Sequence, residues 1–325
     1  MLRIVIFIVL MSVLSQSAQK QSVLTYLNEI RHHSGLIPLK PNTKLNKAAK
    51  AHARYLLRQQ RFGHFEKKRW KGYTGRTPSE RVVYAGYPSK AVMENVSVNA
   101  KTYRQSIDTL LSAIYHRFVF LNFDKNEIGL GSAFGKGWNR KIVSTFVYLF
   151  GSSEVSQLCQ NFYPLENGTF YMNDLCKDEV QMIPQYLYAQ KRKAVRKQNT
   201  PLVCYPYAGA VGVPTVFYTE HPHPLPGSKV SGYPVSVQFN PAFYAHVKLK
   251  KFRLFTAKGK KVNPVKILTS RNDVNHRFTS LQFALMPLKR LQYAQTYRVE
   301  FEAVADGKRV VKHWKFRTRK HAPKQ

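Results

Sequence analysis

The sequence predicts an α+β region followed by an all-β domain, and three observations carry that prediction. Apolar residues recur at helical spacing in three stretches between residues 22 and 115. Two strand-like runs, 128–134 and 142–150, close that half of the chain. From about Tyr205 the apolar period changes from helical spacing to two, with turn residues between short runs and no further helical stretch. A length of 325 residues fits two domains.

The first residues are Met1-Leu2-Arg3, an apolar run from Ile4 to Leu14, and Ser15-Gln16-Ser17-Ala18. A basic start, a short apolar core and small residues after it predict a signal peptide over 1–18. The run is too short to span a bilayer comfortably, and no other segment comes close, so the mature chain is expected to have no transmembrane helix. Export to the periplasm or the extracellular space follows. The mature chain is divided by expectation into residues 19–152, a connecting region 153–205, and a β-sandwich over 206–320.

The elements follow in order. Val23, Leu24, Leu27 and Ile30 share one face of a helix that Gly35 stops. Asn42 or Thr43 caps a second helix, whose apolar face is Leu45, Ala48, Ala49, His52, Ala53, Leu56 and Leu57. His52 on that face reads as a core histidine with a satisfied hydrogen bond. Residues 61–92 are a long, aromatic, turn-rich loop, with Thr77 or Ser79 capping a short helix inside it. Residues 94–98 read as a strand. A third helix, about 102–115, presents Ile107, Leu110, Leu111 and Ile114 and delivers His116 at its end. The strand at 142–150 is almost continuously apolar, as a fully buried strand is. A turn beginning Gly135-Lys136-Gly137 joins it to the strand before.

Residues 153–205 hold all three cysteines and a basic cluster, Lys191-Arg192-Lys193 with Arg196-Lys197. Three pairings of Cys159, Cys176 and Cys204 are open. Cys159–Cys176 closes the shortest loop and is preferred. The basic cluster is read as a solvated connector rather than a polymer site. Beyond it, Val235, Val237 and Phe239 alternate, as do Tyr297, Val299, Phe301 and Ala303. Asp306-Gly307 then marks a hairpin, and Lys258-Gly259-Lys260 a further turn. This region loosely resembles the immunoglobulin-like modules appended to bacterial surface proteins. Glu220-His221-Pro222-His223-Pro224 at its entry puts two histidines on one side of an extended segment, yet reads as a stiff connector rather than a metal site.

The charge is lopsided: 52 Lys and Arg against 17 Asp and Glu, a net of +35. Residues 20–150 hold 23 basic and 7 acidic residues and residues 151–325 hold 28 and 10, so the charge belongs to the whole molecule. Such a field draws polyanions. No nucleic-acid motif accompanies it, and the leader sets nucleic acid aside. The expected partners are anionic cell-envelope polymers or lipid headgroups.

Gly63-His64, Glu94-Asn95, His116-Arg117 with Phe120-Leu121-Asn122, and Ile128-Gly129-Leu130-Gly131 occur in this order. They follow Leu27-Asn28-Glu29-Ile30-Arg31, Gly35-Leu36-Ile37-Pro38-Leu39 and Leu45-Asn46-Lys47-Ala48-Ala49. Together these resemble the bacterial branch of the CAP superfamily, which holds the cysteine-rich secretory, antigen 5 and pathogenesis-related proteins. The resemblance covers roughly residues 22–152 and implies a three-layer α-β-α sandwich. It also implies a cleft with His64, Glu94 and His116; Arg117, next to His116, is expected at the rim, either holding an anionic ligand group or in a structural salt bridge. The family's second acid falls on Ile114, so one carboxylate is missing; Glu66 and Glu80 are the other acids near in sequence. Two imidazoles on a cleft wall suit a divalent ion such as zinc on His64 and His116, and equally the three residues suit a buried hydrogen-bond network that holds the helices to the sheet. Glu94 with a histidine suits general acid–base catalysis. No Ser or Cys nucleophile is marked. A small or lipid-like ligand in the cleft is the expected function, with hydrolysis of an envelope polymer or peptide as the alternative.

Overall fold

The computed structural model describes residues 22–135, 141–228 and 230–322. The expected signal peptide and the Lys136-Gly137 part of the expected turn lie outside the described residues. In chain order the elements are α1 (22–33), β1 (Lys40–Pro41), α2 (Thr43–Gln59), α3 (Pro78–Tyr84), β2 (Met93–Val98), α4 (Tyr103–Ser112) and α5 (Ile114–Phe120). There follow β3 (Glu127–Phe134), β4 (Ser144–Gly151), α6 (Ser153–Leu158), β5 (Tyr171–Met172), β6 (Ile183–Pro184) and α7 (Gln185–Lys197). Among the described residues the strands that follow are β7 (Leu202–Tyr205), β8 (Val216–Phe217), β9 (Ser231–Gly232), β10 (Val235–Phe239), β11 (Val247–Thr256), β12 (Val265–Leu268), β13 (Gln282–Pro287), β14 (Thr296–Ala305) and β15 (Lys308–Arg317). No described helix is long and apolar enough to cross a membrane.

The chain divides into two compact units. The first holds residues 22–32, Ile37–Asp108 and Asp124–Arg192; the second holds His33–Leu36, Thr109–Phe123 and the chain from Lys193 on.

In the first unit, β1-β3-β4-β2 form one sheet, with β1 parallel to β3 and the other pairs antiparallel. Successive residues of β4 point to opposite faces. Val147 and Leu149 pack with Leu45, Ala48, Ala49 and Ala53 of α2. On the other face, Phe146 meets the Tyr103 ring of α4, and Tyr148 donates to Ser106 Oγ at 3.0 Å. Helices therefore cover both faces, which is the three-layer α-β-α arrangement, and β4 is buried along its whole length. Asn42 caps α2 by accepting from the Lys44 and Leu45 amides. Gly129 and Gly131 let α2 lie against β3. A Cβ at Gly131 would stand 2.2 Å from the Ala49 backbone, and one at Gly129 the same distance from that of Leu45.

Residues 153–205, expected as a connector, carry α6, the β5–β6 pair and α7, and the Lys191-Arg192-Lys193 cluster lies on α7. Cys159 is bonded to Cys176. The Cys204 thiol is free, and burial pushes its pKa up to about 12.

In the second unit, β12-β13-β10-β7 and β11-β14-β15 are antiparallel sheets. Phe239 and Phe283 of the first meet Phe301 of the second, with ring centroids about 6 Å apart. Asp306 and Gly307 both have positive φ and close the β14–β15 hairpin. The third expected helix differs from expectation. It breaks at Ala113, whose extended backbone (φ −86, ψ 116) starts α5 as a separate helix. Ile114 and Phe118 of α5 pack among Phe217, Leu225, Phe278 and Met286 in this unit.

Replacing Gly131 by Ala is expected to lower the unfolding free energy by about 1–3 kcal/mol, the usual cost of forcing a methyl into a filled interface. Urea unfolding of the variant against the parent measures it; an unchanged midpoint would contradict the close approach.

Candidate functional site

Four elements of the first unit converge on one buried cluster. α2 brings His52 on its apolar face. α3, capped by Thr77, brings Arg81. β2 brings Glu94, and the loop between α2 and α3 brings His64 and Glu66.

Arg81 is fully buried. It donates through Nη2 to both oxygens of Glu94, at 2.9 and 2.8 Å, and through Nη1 to the His64 carbonyl at 2.9 Å. One guanidinium nitrogen thus spans both carboxylate oxygens, a charge-assisted contact that is stronger than a hydrogen bond between neutral groups. His52 Nε2 donates to the Gly63 carbonyl at 3.1 Å. That leaves its Nδ1 to share a proton with Glu66 Oε1, 2.8 Å away. The other Glu66 oxygen accepts from the Thr74 amide at 2.7 Å. His64 Nδ1 donates to Glu94 Oε1 at 2.9 Å.

Burial by itself would raise the Glu94 pKa. The charges of His52 and Arg81 and the His64 hydrogen bond outweigh it and hold Glu94 at about 2, against an ordinary 4.5. Among the five side chains, His64 alone meets solvent substantially, with 37% of its side chain exposed. With Nδ1 donating to Glu94, the neutral ring carries its lone pair on Nε2. The arrangement therefore presents one oriented imidazole over a locked, ionised carboxylate.

His116 and Arg117 belong to the second unit. His116 stands in the first turn of α5, and its Nδ1 is 2.9 Å from Glu220 Oε2. The same carboxylate accepts from the amides of Ile114 (2.6 Å) and Tyr115 (3.1 Å), capping a helix start at which the Ala113 methyl offers no hydrogen bond. Glu220 thus serves both the start of α5 and the His116 ring. Tyr115 donates to Asp273 and accepts from Asn275. Arg117 is fully buried, bonded to the Leu111 carbonyl and Ser236 Oγ, between the rings of Tyr205 and Tyr233.

The structure brings His64 and Glu94 together, and joins to them His52, Glu66 and Arg81. Arg81 and Glu220 escaped sequence reasoning. Arg81 follows a capping signal, but nothing in sequence marks it as buried. Glu220 was visible only as the neighbour of two histidines. Glu80 stays near the surface, accepting from the Arg76 amide.

A structural or catalytic zinc needs three or four protein ligands. In the first unit Glu94 is taken by Arg81, and His52 is closed between Gly63 and Glu66, which leaves His64 Nε2 as the donor on offer. The cluster does not make a zinc set by itself. Among the described residues, no group of three or more His, Cys, Asp or Glu is placed to hold a metal ion.

Residues 24–149 match the model of the cysteine-rich secretory protein family, CAP. Among solved structures the chain is similar to an outer surface protein from Borrelia burgdorferi, at 21% identity over 42% of this chain and 92% of that one, with a TM-score of 0.35. It is also similar to an extracellular protein containing an SCP domain from Bacillus anthracis, at 17% identity over 41% of this chain and 40% of that one, with a TM-score of 0.34. No curated protein matches the sequence.

Arg81→Met is expected to destabilise the protein by roughly 3–5 kcal/mol, because it leaves Glu94 buried without its counter-charge. Denaturant unfolding measures this, and a loss below about 1 kcal/mol would mean that the pair carries little of the local fold.

Proposed function

With residues 24–149 forming a CAP domain, we propose that the chain is an exported, envelope-associated binding protein. Its positive field holds it to an anionic envelope polymer or to lipid headgroups, and the His64–Glu94 face receives a small or lipid-like ligand. The observation that carries binding over catalysis is the state of Glu94. A carboxylate engaged on both oxygens by Arg81, with a pKa of about 2, is a weak proton acceptor near neutral pH. It orients His64 and does not itself move a proton. Hydrolysis is the second reading, and the His64–Glu94 hydrogen bond is what favours it. There His64 Nε2 acts as the base while Glu94 fixes its tautomer.

The charge of +35, spread over both halves, supports adhesion. Binding of the mature protein to purified cell-wall material across a salt series tests it. Affinity is expected to fall steeply between about 50 and 500 mM salt, since the screening length shrinks severalfold over that range. Affinity indifferent to ionic strength would remove the electrostatic part of the proposal.

A further inference from the structure

The loop that carries His64 has a surface of its own. Residues 61–71 are Arg61-Phe62-Gly63-His64-Phe65-Glu66-Lys67-Lys68-Arg69-Trp70-Lys71. Phe62 and Phe65 are 65% and 67% exposed. The loop cannot easily turn them inward, because its backbone is tied from beneath on either side of them. The Gly63 carbonyl is bonded by His52 and the His64 carbonyl by Arg81. The Glu66 amide donates to Arg76, and the Lys67 amide to the Tyr55 hydroxyl. Two phenyl groups are therefore presented to water on a fixed support.

The loop holds five Lys or Arg, and its single acid, Glu66, is buried against His52 and Thr74. The surface charge is thus uncancelled. Arg61 and Lys67 lie over the Trp70 ring, at 5.2 and 4.8 Å from its centroid, which gathers two of the cations beside an aromatic. Aromatic groups that enter the headgroup boundary, ringed by cations that meet phosphates, are the two elements of interfacial membrane binding. A soluble polyanion would use the cations and leave the phenyl groups in water.

We propose that the 61–71 loop docks the chain on an anionic lipid bilayer, Phe62 and Phe65 entering the interface while the flanking Lys and Arg side chains meet lipid phosphates. The proposal rests on the envelope-binding reading and names its partner and its surface. The same unit contains an internal contrast. Residues 160–180 also expose phenyl groups, Phe162 and Phe170, but their charged neighbours are Glu166, Asp174, Asp178 and Glu179 against Lys177 and Lys90, the latter paired with Asp174 and Glu179, so the stretch stays net acidic. An anionic surface repels that loop.

The test is cosedimentation of the full chain with vesicles of phosphatidylglycerol and phosphatidylcholine, with phosphatidylcholine vesicles and immobilised polyphosphate in parallel. The parent is expected to bind the anionic vesicles in a salt-sensitive way and to ignore phosphatidylcholine. The Phe62→Ser, Phe65→Ser double variant should lower vesicle partitioning about tenfold and leave polyphosphate binding within about twofold. The Phe162→Ser, Phe170→Ser pair should leave both unchanged. All four side chains are exposed, so unchanged unfolding transitions verify the folds. Vesicle binding that survives loss of Phe62 and Phe65, or polyphosphate binding without vesicle binding, overturns the lipid proposal and leaves the envelope reading standing. Binding to neither vesicles nor polyphosphate overturns both.

Discussion

The buried pair of Arg81 and Glu94 is the contact on which the site depends. A guanidinium and a carboxylate are costly to bring out of water, and only a complete set of partners offsets that cost. Here the set is nearly closed within the first unit. Glu94 has Arg81 and His64, Glu66 has His52 and the Thr74 amide, and Arg81 has the His64 carbonyl as well. The consequence is mechanical as well as electrostatic. A loop with little regular structure is fastened to α2 and α3 at several backbone atoms and to β2 through the His64 ring, so His64 has a defined orientation and the backbone that carries the two phenyl groups a defined course.

Neutralisation and chemistry pull in opposite directions at such a site. The arrangement that makes Glu94 tolerable in the interior also keeps it ionised and weakly basic, which suits holding a ligand better than abstracting a proton. In the second unit Glu220 does a different task with the same chemistry. It fills the amide positions at the start of α5 and engages His116 with the same carboxylate. That carboxylate reaches α5 from a stretch more than a hundred residues further along the chain.

Much of this architecture is legible in the sequence, because periodicity reports burial directly. The Leu45-Ala48-Ala49-Ala53 stripe marks α2, the apolar run at β4 marks a strand covered on both faces, and Asp306-Gly307 marks a hairpin. His52 is read from the same stripe as a bonded core histidine, and it is one, on Glu66 and Gly63. What the sequence conceals is pairing at long range. The break at Ala113 has no proline or glycine to announce it, since its cap comes from Glu220. Arg81 and Arg117 look like surface cations, because composition and spacing carry no information about which arginine finds a buried carboxylate or a pair of tyrosine rings. The helical content of 153–205 was hidden for a related reason: α7 is highly charged and buries few of its residues, so its periodicity is faint.

The role of His64 as a binding group depends on Glu94 being an ionised, guanidinium-held carboxylate. An unfolded glutamate takes up its proton near 4.5, whereas the folded one resists until about 2. Stability from this group is therefore complete above the first value and is lost as pH falls toward the second. Carboxyl carbon NMR of the folded protein, with the Glu94 signal assigned through Glu94→Gln, measures that ionisation directly. The account predicts a midpoint near 2; a midpoint at or above 4.5 would contradict it.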